Sequence, residues 1–100
     1  MLIIAGTISV DPDHRSRFLD EVAPMVAASR AEDGCQAYVF SADPTDTDLI
    51  RLYELWDSED ALAAHFASDH MAEWRERSAK LPVTARDIAK YTVSTVSPLD

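Results

Sequence analysis

The stretch Leu49-Ile50-Arg51-Leu52-Tyr53-Glu54-Leu55-Trp56 constrains the fold more than any other, because both of its alternating sets of side chains are largely apolar or aromatic. A strand in a sheet with one wet face alternates cleanly between apolar and polar residues; a strand of this kind has cover on both faces. Leu2 to Val10 has the same character. Leu2, Ile4, Ile8 and Val10 fall on one face, Ile3, Ala5 and Thr7 on the other, and Gly6 is the only breaker. Further strands are expected at Cys35 to Ser41 and Ile88 to Val96, with the third running Leu49 to Asp57. The turn-rich Ala42-Asp43-Pro44-Thr45-Asp46-Thr47-Asp48 joins the second to the third.

Helical spacing appears twice. Asp11 can cap a first helix with Pro12 at its first position, and Phe18, Val22, Met25 and Ser29 then recur on one face. Pro24 removes a backbone donor within that pattern, so a kink or break is expected near Asp20 to Glu21. Gly34 suits a left-handed terminus after Glu32-Asp33. Ser58 can cap a second helix through Ala61, Leu62, His65 and Phe66, and Ser68-Asp69 reads as a second cap where the segment breaks and restarts through Met71, Trp74 and Ser78. Leu81-Pro82 stops it.

The resulting order, β-α-β-β-α-β over a single domain of residues 1–100, is an α+β ferredoxin-like split βαβ plait with an antiparallel sheet. Two helices cover only one face of four strands. The economical cover for the other face is a second copy of the sheet, giving a homodimer through the sheet faces, a dimeric α/β barrel.

Charge and composition remove several functions. With Lys+Arg 9 against Asp+Glu 18 the net charge is -9, which repels nucleic-acid backbones and anionic membranes. No apolar run approaches the roughly 18–20 residues of a spanning helix and no basic-then-apolar leader is present, so a cytoplasmic protein is expected. Cys35 stands alone and has no internal disulfide partner. Only two glycines occur, too few for a phosphate-cradling loop or dinucleotide fingerprint. The three histidines form no His-x-x-x-His pair, and His65 and His70, five apart on a helix that turns roughly 100° per residue, do not share a face. No metal, flavin or nucleotide cofactor is therefore expected.

What remains is an imidazole beside aromatic surface. His65 has an ordinary pKa near 6.5, suited to a general base at neutral pH. A lone histidine more often packs with its ring hydrogen-bonded, and on the residues alone both roles stay open. Trp56, Tyr53, Tyr38, Phe40, Tyr91 and Trp74 could line a slot for a flat aromatic ligand or simply build the core. Glu54 alternates in phase with Trp56 and should face the same side, as an ion-pair partner or as the orienter of His65.

Three segments carry a family resemblance: Glu32-Asp33-Gly34-Cys35-x-x-Tyr38, then Glu54-x-Trp56-Asp57-Ser58, then His65-x-x-Ser68-x-His70-Met71. Together they resemble the antibiotic biosynthesis monooxygenase family, and the small quinol monooxygenase-like members above all. The resemblance implies a plait that dimerises through its sheets, with a pocket between sheet and helices, and oxidation of a small phenolic or quinol substrate by molecular oxygen without metal, flavin or haem. On that basis His65 is the catalytic residue that removes or holds the phenolic proton, and Thr7, Trp56, Phe66, Glu54 and Trp74 are substrate-binding. The haem-degrading branch relies on an Asn on its first strand, a Trp on helix two and a His farther along. This sequence has no Asn, and Thr7, His65 and Arg75 fall at those places, so haem degradation is not expected. Two other functions fit the same plait: cofactor-free isomerisation of a small sugar-derived or lactone substrate, and non-catalytic ligand binding by a dimer.

Overall fold

A computed structural model describes all residues from Met1 to Asp100. Four strands, β1 (Leu2–Val10), β2 (Cys35–Ala42), β3 (Leu49–Trp56) and β4 (Val83–Thr92), and three helices, α1 (Arg15–Arg30), α2 (Glu59–Phe66) and α3 (Asp69–Ser78), build an α+β ferredoxin-like fold. The strands lie in the order β2-β3-β1-β4, every neighbouring pair antiparallel.

Strand parity sorts the side chains into two layers. Leu2, Ile4, Ile8 and Val10 of β1 and Ile50, Leu52, Glu54 and Trp56 of β3 are buried on the helix side. Phe18, Val22, Met25 and Ser29 of α1 and Leu62 and His65 of α2 close over them. The opposite face presents Ile3, Ala5, Thr7, Val39, Tyr53, Leu55 and Tyr91, and no helix covers it. Tyr53 is 40% exposed and Tyr91 54%.

Local chemistry fixes the joints. Asp11 accepts from the Asp13 N–H at 3.0 Å and caps a single 3-10 turn, Pro12–His14, that feeds α1. Ser58 and Ser68 cap α2 and α3 by accepting from the N–H groups of Ala61 and Met71. Gly34 has φ +82°, and a Cβ there would meet the Ala61 side chain at 2.6 Å, so the α1–β2 loop needs glycine on both counts. Gly6 serves a different need. A Cβ would stand 2.0 Å from the Asp87 carbonyl oxygen, so its absence lets β4 lie against β1.

Two expectations are corrected. α1 runs unbroken through Pro24: the carbonyl that loses its partner belongs to Asp20, and both residues are exposed, so water can take the place of the missing donor. The last strand is Val83–Thr92 rather than Ile88 to Val96. Its first half pairs with Val10 through Thr7 by backbone hydrogen bonds while its side chains, Arg86 and Asp87 among them, stay exposed, so no apolar alternation marks it.

Candidate active site

The β3 register places Glu54 and Trp56 on one face, two residues apart, and the Trp56 indole N–H donates to Glu54 Oε1 at 2.8 Å. Glu54 is buried, and desolvation raises its pKa to about 7 against the favourable indole contact. Its carboxyl therefore tends to the protonated form at and below neutrality.

His65 enters from α2 and is fully enclosed. Its ring lies 4.7 Å from that of Trp56, 5.2 Å from Tyr38 and 5.7 Å from Phe66. Nδ1 stands 2.9 Å from Glu32 Oε1 and Nε2 stands 3.3 Å from the Tyr38 hydroxyl. With Nδ1–H donating to the carboxylate, Nε2 holds a lone pair and accepts from the tyrosine. Burial pushes the His65 pKa down, against the pull of Glu32, so the ring is held neutral. Burial likewise raises the Tyr38 hydroxyl far above its ordinary range, which keeps the phenol protonated.

Glu32 reaches this ring from the α1–β2 loop. The Cys35 N–H donates to the Glu32 carbonyl and the Asp57 N–H to the Gly34 carbonyl, which seats the loop under the start of α2. The same Glu32 Oε1 is also hydrogen-bonded to His70 Nε2. Two imidazoles, from α2 and from α3, thus converge on one carboxylate, and these three side chains could hold a metal ion. The expectation that His65 and His70 face apart fails because they do not sit on one helix. α2 stops at Phe66, and Ser68 both donates to the His65 carbonyl at 2.6 Å and caps α3. The Ser68 cap was the available signal for His70. Nothing local in the sequence points to Glu32, which is 33 residues from His65.

Two grooves lie nearby, the larger beside Phe66 and the smaller bordered by His70. One, of about 390 Å³, lies between α2 and the β1–β4 edge, lined by Ile4, Leu62, Ala63, Phe66, Ile88 and Lys90. Lys90 pairs with Glu59 at 2.9 Å across it. The other, of about 150 Å³, lies between α1 and α3 and is lined by Glu21, Met25, His70 and Trp74 among others.

The structure therefore brings His65, Trp56 and Glu54 into one buried layer and puts Phe66, 49% exposed, on the wall of the larger groove. It does not bring Thr7 there. Thr7 is paired with Arg51 and Asp87 on the uncovered face, because odd positions of β1 point away from the helices. Trp74 packs edge-on against Phe18 at 5.2 Å and borders the smaller groove beside His70, not the His65 ring. Tyr53 and Tyr91 also lie on the uncovered face, so they share no slot with Tyr38, Phe40 and Trp56. The carboxylate that orients His65 is that of Glu32, not Glu54, which is occupied by the indole.

The profile described as "Antibiotic biosynthesis monooxygenase" matches residues 1–77. The chain belongs to the antibiotic biosynthesis monooxygenase family. Among relatives of this family, "Putative monooxygenase Rv0793" of Mycobacterium tuberculosis is 33% identical over 89 residues, 89% of this chain and 82% of that protein. The uncharacterized protein sll1783 of Synechocystis is 30% identical over 98% of this chain and 67% of its own length. The crystal structure of an antibiotic biosynthesis monooxygenase homologue from Deinococcus radiodurans superposes with a TM-score of 0.89 at 26% identity, covering 100% of this chain and 99% of that one.

Proposed function

We propose that the chain is a monooxygenase that oxidises a small phenol or quinol with molecular oxygen in the groove between α2 and the sheet, with His65 as base and Glu32 behind it. The observation that carries the reading is the enclosed, neutral His65, held at Nδ1 by Glu32 on the helix whose Leu62 and Phe66 line an apolar groove. Family membership and relatives named as monooxygenases support it.

The residues divide the work as follows. The substrate ring stacks along Leu62, Ile88 and Phe66, in a groove whose about 390 Å³ falls in the range of small-molecule pockets. Phe66, half exposed, swings aside and the Tyr38 hydroxyl gives up its hydrogen bond to His65 Nε2 as the substrate hydroxyl arrives; Nε2 then takes the proton while Glu32 holds the imidazolium formed. The phenolate is electron-rich enough to reduce oxygen, which bonds to a ring carbon bearing hydrogen. Loss of water across that C–O–O unit leaves a quinone. One oxygen atom enters the product, the other leaves as water, and the ring supplies all four electrons that the two oxygen atoms take up. A homodimer through the uncovered sheet faces belongs to the same reading, because it buries Tyr53, Val39 and Tyr91.

The test is oxygen uptake by metal-stripped protein with menadiol or a naphthol panel. Substrate-dependent uptake that falls about 10²–10⁴-fold in His65→Ala supports the reading, and a fall under about threefold makes His65 a packing residue. Turnover that persists without oxygen points to an isomerase, and tight binding without turnover to a binding protein.

A further inference from the structure

The cluster of Glu32, His65 and His70 has a geometry that the proton-transfer reading does not use. Three chain segments, the α1–β2 loop, α2 and α3, deliver one donor atom each: Oε1 of Glu32, Nδ1 of His65 and Nε2 of His70, all within 4.8 Å of one another. Two imidazoles and one carboxylate, in the forms in which they ligate, make a donor set of net charge −1, of the borderline softness that suits first-row divalent ions. We infer that these three side chains form a binding site for one divalent transition-metal ion of the zinc or cobalt class.

Four features support it. Tetrahedral zinc places its ligands roughly 3.3 Å apart, a separation that small side-chain rotations reach from the present arrangement. The ring of His65 is already oriented by a partner on its other nitrogen, the Tyr38 hydroxyl at 3.3 Å, and metal-bound histidines typically have such a partner. The smaller groove opens onto His70, which gives an ion an entry path and leaves a position for water. The chain carries a net charge of -9, which concentrates cations around it, although Arg75, bonded to the Phe66 carbonyl, acts against a cation near His65. On binding, the ion replaces the two N–H groups now shared with Glu32: the His65 proton moves to Nε2, where it donates to Tyr38, and the proton on His70 Nε2 leaves that nitrogen for Nδ1 of the same ring. The lone pair used in the proposed oxidation is then gone, so the ion inhibits that reaction. This last consequence rests on the proposed function; the site itself does not.

The experiment is titration of metal-free protein with Co²⁺ and with Zn²⁺ in the absence of substrate, followed by the visible d–d bands of cobalt and by equilibrium dialysis. The expected result is one ion per chain, with His70→Ala and Glu32→Gln each weakening binding by about 10–100-fold or more. His14→Ala, which removes the imidazole beside Asp11 at the surface, leaves binding unchanged. In the unmutated protein, Zn²⁺ shifts the imidazole NMR signals of His65 and His70 and not those of His14, a readout that needs no variant to fold. Absence of binding, or binding that follows His14 and ignores His70, overturns the inference. Because no step requires turnover, a protein inactive on every phenol still tests the site.

Discussion

Glu54 and Trp56 are joined by a 2.8 Å hydrogen bond inside the core, with the indole N–H donating to a carboxyl oxygen. Burial raises the Glu54 pKa from an ordinary 4.5 to about 7. A group whose folded pKa is raised contributes stability that is complete below its unfolded pKa and is lost as pH rises through the folded one. The Glu54 contribution should therefore be full below about pH 4.5 and gone above about pH 7. Gln at this position keeps the acceptor oxygen and cannot ionise. Glu54→Gln should be more stable than the parent by about 2–3 kcal/mol at pH 8 and close to it at pH 4. Chemical denaturation at the two pH values checks this, and an equal effect at both would mean that the carboxyl is not titrating.

Phe66→Ala should separate binding from folding. The side chain is half exposed on the groove wall, so its loss should change stability by within about 0.5 kcal/mol. KM for a naphthol should rise by about 10-fold, the equivalent of roughly 1.4 kcal/mol of lost apolar contact. Steady-state oxygen uptake together with thermal unfolding distinguishes the two effects.

Gly6→Ala should loosen β4. The added methyl would collide with the Asp87 carbonyl oxygen at 2.0 Å, and backbone cannot yield as a side-chain tip does. A loss of about 2–3 kcal/mol is expected. Amide hydrogen exchange should show it first along Ala85 to Ala89, which pair with Ser9 to Ala5.

Tyr53→Asp should split the proposed dimer. Tyr53 is exposed on the uncovered face, so the charge should leave the folded monomer intact. Sedimentation at micromolar concentration should give twice the 11.1 kDa chain mass for the parent and 11.1 kDa for the variant. A parent already at the single mass would leave the uncovered face without its partner.

Much of the architecture was legible because burial here follows simple periods. Phe18, Val22, Met25 and Ser29 repeat at helical spacing, and all four are buried. Leu2, Ile4, Ile8 and Val10 alternate, and all four face the helices. The site was less legible. Parity alone sets Thr7 with Ile3 and Ala5, away from His65, so its assignment to the site rests on the family resemblance and not on the strand itself. Glu32 and His70 were missed for different reasons: the first arrives through a loop whose course depends on tertiary contacts, the second through a helix break that rotational arithmetic on one continuous helix ignores. β4 was misplaced because an edge strand held by its backbone alone leaves no mark on side-chain pattern.

That break between α2 and α3 has a consequence of its own. On an unbroken cylinder, positions five apart stand about 140° from each other, and the two imidazoles would look in divergent directions. A single hydroxyl, that of Ser68, ties off one coil and starts the next. Inserting or deleting one amino acid at this hinge would therefore scatter the constellation around Glu32 while leaving every member of it present.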